Sequence, residues 1–134
     1  MNLTFNILKP IDFVFDHLTD MQKFVSIHPV ISKIDKLTET NYLVHETLKF
    51  GFIAYSFTYP VIIEHNYTDK TIVMRATVMK LTTIEMRYHL STKNNLTTIN
   101  ETIIFKSHLP IKLIMKTIFR KQHALLFKSM EAVK

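Results

Sequence analysis

The sequence predicts an α+β fold, in which one antiparallel sheet of seven strands packs against a single long C-terminal helix. Apolar and polar residues alternate with period 2 through most of residues 30–107, which is typical of strands. The connections between these segments are too short for the crossovers that parallel strands require. Beyond Pro110 the apolar residues recur with helical spacing, and this amphipathic helix must bury its apolar stripe on the sheet.

The N-terminal segment predicts the first strand and two short helices. Residues 3–8 alternate and form the strand, which a proline ends because it lacks an N–H for the ladder and presets a helical φ. Residues 11–18 place their apolar side chains on one side of a helix. Thr19 and Asp20 are suited to cap a second helix over residues 21–27, which ends before the next proline.

Six further strands follow the two helices and complete the sheet. Gly51 indicates a turn or bulge, and Pro60 indicates an edge position or a bulge, because it cannot donate to a ladder. The predicted strands span residues 30–37, 42–50, 52–59 with a continuation through 61–65, 71–78, 81–90 and 96–106.

The final helix has an apolar stripe and a basic remainder, with Pro110 in its first turn. The predicted stripe consists of Ile111, Met115, Ile118, Phe119, Leu126, Met130 and Val133. The rest of the helix surface carries mainly Lys112, Lys116, Arg120, Lys121, His123 and Lys128. Leu113 and Phe127 lie off the stripe, so a second contact or a partner is needed to cover them.

Composition narrows the range of functions. A chain of 134 residues is expected to form one domain, residues 1–134. The net charge is +6, but its 17 Lys and Arg residues are spread out, so no nucleic-acid partner is expected. With no Cys and no suitably spaced His pair, we expect neither a metal nor another cofactor. The N-terminus lacks a signal-peptide pattern and no apolar run is long enough to span a membrane, so we expect a cytoplasmic location.

The order of elements and several segments resemble the START-like superfamily (SRPBCC), which includes polyketide cyclase-like, coenzyme Q-binding-like and Bet v 1-like proteins. The residues that carry the resemblance are 9–15, 18–20, 24–34 with the His28-Pro29 pair, and 97–102. The resemblance implies a helix-grip fold, in which a curved sheet grips the long helix around an apolar cavity for lipids, quinones or polyketides. The turn at residues 38–41 lacks the glycines of some members, so no phosphate-facing loop is carried over.

Two carboxyl groups lie on apolar strand faces in this pattern. Glu46 shares a face with Tyr42, Val44, Leu48 and Phe50, and Glu101 shares one with Ile99, Ile103 and Phe105. Burial in such a place raises the pKa of a carboxyl group. The pair could be a general acid and base or polar anchors for a ligand. Alternatively, each carboxyl lies near the cavity mouth or pairs with a Lys or Arg.

Other residues point to the same cavity. Tyr55, Phe57 and Tyr59 share a strand face and either fill the core or form a wall that stacks on a flat ligand. Met86 is an adaptable side chain that suits a pocket for varied shapes. Gln122, inside the helix stripe, could donate to a ligand carbonyl or satisfy a backbone group.

The leading hypothesis is therefore the binding of a hydrophobic small molecule between the sheet and the C-terminal helix. Glu46, Glu101 and Gln122 are its predicted polar anchors, and its walls are Tyr55, Phe57, Met86, Ile103, Ile118 and Phe119. A polyketide cyclase or dehydratase that uses the two carboxyls is the first alternative, so whether the chain is an enzyme stays open. The second is a basic module in weak contact with an anionic membrane surface. The sequence leaves the ligand and the oligomeric state open.

Overall fold

Ten elements follow one another in the predicted order in a computed structural model, which describes residues 1–134 except the side chain of Phe50. They are β1 (Asn2–Ile7), α1 (Ile11–Thr19), α2 (Met21–Ile27), β2 (Ile31–Lys36), β3 (Asn41–Phe50), β4 (Ile53–Asn66), β5 (Thr71–Val78), β6 (Thr82–Lys93), β7 (Leu96–Ser107) and α3 (Lys112–Glu131). The predicted fold class is confirmed. The expectation that Phe50 shares the face of Glu46 concerns a side chain outside the described part.

All seven strands belong to one antiparallel sheet with the order β1-β7-β6-β5-β4-β3-β2. Strand β4 runs through Pro60 without a break, so the predicted strand and its continuation form one element. Its pairing with β5 begins at Val61, so Pro60 and the residues before it pair with β3 alone. The missing N–H of Pro60 therefore lies at a locally unpaired edge, and the β3–β4 hairpin projects beyond the rest of the sheet.

Turns at both ends of the sheet use left-handed backbone conformations. Gly51 has a φ of 63° at the tip of the β3–β4 hairpin. Asn94 and Asn95 have φ values of 53° and 66° between β6 and β7, which is the pattern of a two-residue hairpin turn. The tight Asn94-Asn95 turn lets β6 continue to Lys93, beyond its predicted end.

The short helices bury apolar residues next to the sheet. Val14 and Leu18 of α1 and Phe24 of α2 are buried. The carboxylate of Asp20 accepts hydrogen bonds from the backbone N–H groups of Gln22 (3.0 Å) and Lys23 (3.2 Å). Asp20 thus caps α2 as predicted, and the cap fixes where that helix starts.

Helix α3 touches the sheet mainly through its C-terminal half. Leu126, Phe127 and Met130 are buried, and the ring of Phe127 lies 4.7 Å from that of Phe5 on β1. The expectation that Phe127 lies off the stripe is therefore wrong. It follows Phe119 and His123 at successive i, i+4 positions, which a straight helix aligns on one face. The N-terminal half of α3 is only partly buried, and the space beneath it is the candidate site.

Candidate functional site

A cavity of about 330 Å³ lies between the inner face of the sheet and α3. Apolar side chains make up most of its wall, with contributions from α2, from strands β2 to β6 and from the N-terminal half of α3. They are Phe24, Ile31, Ile34, Val44, Leu48, Tyr55, Phe57, Val61, Ile63, Met74, Ala76, Val78, Met79, Leu81, Ile84, Met86, Leu109, Ile111, Met115, Ile118 and Phe119. The size and the apolar lining are typical of sites for small molecules.

A row of aromatic rings along β4 forms one wall of the cavity. The rings of Tyr55 and Phe57 are 5.5 Å apart, those of Phe57 and Tyr59 are 5.8 Å apart, and each pair is inclined by 30°. Alternate residues of a strand point to the same face, which is why the three rings stack in a row. The row runs from the exposed Tyr55 to the half-buried Tyr59 and offers a flat surface to a ligand.

Glu46 and Tyr59 form a polar pair within this apolar wall. The Tyr59 hydroxyl donates a hydrogen bond of 2.8 Å to Oε1 of Glu46. Glu46 lies opposite Phe57 in the β3–β4 ladder, so Tyr59 is its diagonal neighbour. Burial raises the pKa of Glu46, while the Tyr59 hydrogen bond and nearby His123 partly offset this rise. Burial and the neighbouring Glu46 raise the pKa of Tyr59 well above its ordinary value, so its hydroxyl stays protonated.

A second polar pair connects α3 to β7. Nδ1 of His123 lies 2.7 Å from Oε1 of Glu101, and both side chains are almost fully buried. His123 lines the cavity, and its ring lies 5.3 Å from that of Phe119 and 6.5 Å from that of Tyr88. Since Nδ1 is held by Glu101, Nε2 is the ring nitrogen left to face a ligand. Oε2 of Glu101 has no hydrogen-bond partner within the described part of the chain.

His28, directly after α2, supplies a third polar group. Its Nδ1 accepts hydrogen bonds from the backbone N–H groups of Val30 (3.2 Å) and Ile31 (3.1 Å). Burial, together with the proximity of His123, lowers the pKa of His28 to about 3. The ring is therefore neutral at physiological pH, with its proton on Nε2, and can donate one hydrogen bond into the cavity.

The structure brings most of the predicted site residues together. Seven of them line the cavity, namely Glu46, Tyr55, Phe57, Met86, Ile118, Phe119 and Gln122. Glu101 and Ile103 differ from the prediction, since neither belongs to the lining. Both point inward from β7, but there the C-terminal half of α3 fills the space, so Glu101 reaches the cavity only through His123.

Five polar residues of the cavity lining are not among the predicted ligand contacts: His28, Tyr59, Thr82, Tyr88 and His123. The sequence pattern places Tyr59 on the aromatic strand face, and it shows His28 only as part of a His-Pro pair. His123 was assigned to the basic surface of the last helix, and that assignment is wrong because its side chain is only 3% exposed. Its i, i+4 spacing from Phe119 and Phe127 was the available signal.

The remaining properties of the site concern metals and membranes. In the residues that the structure describes, no three His, Cys, Asp or Glu side chains cluster as metal ligands. No helix of the described chain combines the length and the apolar character that crossing a membrane requires.

Comparison with known proteins gives matches at the level of structure. No protein-family model matches the sequence, and no curated protein matches it. The structure of Ara h 8.0201 is similar, with a TM-score of 0.77 and 12% identity over 98% of this chain and 93% of that protein. A START superfamily protein from Mycobacterium smegmatis gives a TM-score of 0.75 and 11% identity over 98% and 93%.

An enzyme with the same architecture is the Zhui aromatase/cyclase from a Streptomyces species. It gives a TM-score of 0.65 and 11% identity over 100% of this chain and 94% of that protein. Identities this low establish the fold alone, since one scaffold carries many functions. The chain therefore has the helix-grip fold that these structures share.

Proposed function

We propose that the protein binds a hydrophobic small molecule, such as a lipid, a quinone or a polyketide-like compound, in the cavity beneath α3. The observation that carries this proposal is an apolar cavity of about 330 Å³ with only a few polar groups in its wall. Every 100 Å² of apolar ligand surface that the cavity buries contributes about 2.5 kcal/mol, before the entropic cost of association.

The polar groups suit a ligand that has an oxygen at one end. His28 offers an N–H donor, the Glu46–Tyr59 pair offers an acceptor or a protonated carboxyl, and Gln122 offers an amide. The stacked rings of β4 favour a flat or conjugated body over a saturated chain. These features support a ligand with an apolar body and one carbonyl or hydroxyl group.

The test is binding of the neutral dye N-phenylnaphthylamine, combined with native mass spectrometry of the purified protein for bound lipids. We expect saturable dye binding that Ala76→Leu weakens at least tenfold, because Ala76 lines the cavity and the larger side chain fills it. Ala124→Leu is the matched control, since Ala124 is exposed on α3. An absence of both saturable dye binding and co-purified molecules would contradict the proposal.

A second candidate function is proton-transfer catalysis of the polyketide cyclase or dehydratase type. The observation that favours it is that each inward carboxyl has a partner at hydrogen-bond distance, Tyr59 for Glu46 and His123 for Glu101. Glu46, with its raised pKa, is the group suited to move a proton in an aldol closure or a loss of water.

This candidate is tested with a short synthetic β-polyketide thioester. If the protein is a cyclase, mass spectrometry detects the cyclised product with loss of water, and Glu46→Gln slows its formation on the order of 100-fold. Dye binding by Glu46→Gln serves as the control, because an isosteric amide leaves the cavity shape unchanged. A wild-type protein that binds the thioester without converting it is a binding protein only.

A further inference from the structure

Three segments of the chain lie at the same end of the sheet as the open end of the cavity. They are the tip of the β3–β4 hairpin (residues 49–53), the β5–β6 turn (79–81) and the β7–α3 connection with the first turns of α3 (106–116), and we call them the mouth rim. The backbone N–H of His108 donates to the carbonyl of Leu81 (3.4 Å), which joins the second and third segments. Tyr55, which follows the hairpin tip on β4, lines the same cavity as Met79 and Leu109, so the hairpin borders the opening on the side of β4.

The mouth rim exposes an unusual number of large apolar side chains. Phe52 is 99% exposed, Leu113 is 80% exposed and Ile114 is 61% exposed, and they are accompanied by Ile53, Met79 and Leu109. Scattered apolar residues are ordinary on a protein surface, but a group of them around one opening indicates a contact site. These side chains project separately from turns and from a helix end, so they form a group of exposed apolar side chains and not a groove.

The charges of the mouth rim all have one sign. It carries five lysines and no Asp or Glu, the lysines being Lys49, Lys80, Lys106, Lys112 and Lys116. In the described side chains none of these lysines takes part in an ion pair. At the opposite end of the sheet charges are mixed, as in the pairs of Lys36 with Glu39 and of Lys70 with Asp12.

A second depression, of about 460 Å³, lies beside the cavity mouth and is lined by part of this basic surface. Lys80, Lys106, Lys112 and His108 line it, together with the hydroxyl-bearing Ser107. It shares Leu81, Leu109 and Met115 with the apolar cavity, so a basic recess and an apolar one adjoin at the opening. That arrangement complements an anionic headgroup attached to an apolar chain.

The backbone also holds the β5–β6 turn in an uncommon conformation. Met79 and Lys80 have φ values of 53° and 61°, in the left-handed region that residues other than Gly, Asn and Asp rarely adopt. The backbone N–H of Leu81 donates to the carbonyl of Val78 (3.2 Å), so this is a tight hairpin turn like the one at Asn94-Asn95. The turn holds one apolar and one cationic side chain at its exposed tip.

We propose that the mouth rim docks the protein on an anionic lipid bilayer. The exposed apolar side chains of the mouth rim would enter the boundary between headgroups and acyl chains, and its lysines would lie over anionic headgroups. A protein partner fits less well, because lysine is depleted in protein–protein interfaces. The proposal goes beyond small-molecule binding and does not depend on it, since an empty cavity leaves the mouth rim unchanged.

The direct test uses a fluorescent reporter, because the chain contains no Trp. Phe52→Trp places a single indole on a side chain that makes almost no contact within the protein. Vesicles of phosphatidylcholine with phosphatidylglycerol should shift its emission to the blue, and vesicles of phosphatidylcholine alone should shift it much less. Leu37→Trp, in the exposed β2–β3 turn at the opposite end, is the matched control and should not respond.

Co-sedimentation with the same vesicles tests the two contributions separately. Phe52→Ser should weaken binding roughly tenfold, while Leu37→Ser should not. Lys80→Glu with Lys112→Glu should weaken binding more than tenfold, because each lysine near an anionic surface contributes about fivefold, and moderate salt should do the same. Lys93→Glu, at the β6–β7 turn, is the control.

Several outcomes would overturn the proposal. They are equal binding to neutral and anionic vesicles, no binding to either, or binding that Phe52→Ser leaves unchanged. A dimer in solution that Phe52→Ser dissociates would show that a second copy of the chain covers the mouth rim instead. Dye binding in the cavity is measured in parallel, so that a failure of docking and a failure of the proposed function are distinguishable.

Discussion

The buried contact between Glu101 and His123 is the residue-scale feature with the largest expected effect on stability. We expect His123→Phe to lower the free energy of unfolding by about 3 kcal/mol, because it removes the hydrogen-bond partner of the buried Glu101 carboxyl. Urea denaturation measures the loss. The double variant with Glu101→Leu should recover much of it, since replacing both polar partners leaves nothing unsatisfied. A single variant as stable as the wild type would contradict this account.

The raised pKa of Glu46 predicts a pH dependence of stability. The folded chain binds this proton more tightly than the unfolded chain, because burial disfavours the carboxylate. The resulting stabilisation is complete below the ordinary carboxyl pKa and is lost as the pH rises through the raised value. Glu46→Gln lacks this loss, so its stability relative to the wild type should increase with pH.

Urea denaturation from acid to neutral pH checks this prediction. Tyr59→Phe provides the comparison. Removing the hydroxyl that stabilises the carboxylate should raise the pKa of Glu46 further, so this variant should lose more stability than the wild type as the pH rises. A stability difference between Glu46→Gln and the wild type that stays constant across this range would show that Glu46 titrates normally.

At the scale of elements, the cap of α2 links local sequence to the site. Asp20 accepts from two backbone N–H groups at the start of a seven-residue helix that carries Phe24 toward the cavity. We expect Asp20→Ala to cost about 1 kcal/mol of folding free energy, measured by thermal or urea denaturation. Asp16→Ala is the matched control, because it removes an exposed carboxylate from a surface ion pair and should cost less than about 0.5 kcal/mol.

An element could be predicted from the sequence where a single periodic pattern of apolar residues runs through it. The strands have alternating faces with polar turns, and Asp20 is a favoured cap residue, so β3, β7 and α2 were predicted within a few residues. The last helix was harder to interpret. A buried His interrupts its stripe, and polarity alone assigned that residue to solvent.

The site was predictable only in part, for a related reason. Period 2 shows that Glu46 and Glu101 both point inward, but it does not show how far α3 stands from each strand. The distance is set by tertiary packing, such as the contact between Phe5 and Phe127. As a result one carboxyl lines the cavity, while the other is buried against His123.

At the scale of the whole molecule, the position of α3 on the sheet makes one end of the molecule closely packed and leaves the other end open. The C-terminal half of α3 is in close contact with the sheet, and its N-terminal half stands away and leaves the cavity. The open end lies on the same side as the projecting β3–β4 hairpin and as the mouth-rim lysines, none of which forms an ion pair among the described side chains. If both proposals hold, apolar ligands enter the cavity past these residues, and ligand entry and membrane docking involve the same part of the molecule.

A hollow core also predicts opposite effects of one substitution on stability and on ligand response. Ala76→Leu fills part of the cavity, so we expect the unliganded variant to gain about 1 kcal/mol, or about 3 °C in Tm for a chain of this length. Saturating N-phenylnaphthylamine should raise the Tm of the wild type, since a ligand at a hundredfold excess over its Kd contributes about 2.7 kcal/mol. The variant should lose that ligand-dependent rise. Thermal scans with and without dye measure both quantities, and an equal dye-dependent rise in the two proteins would mean that the dye binds outside the cavity.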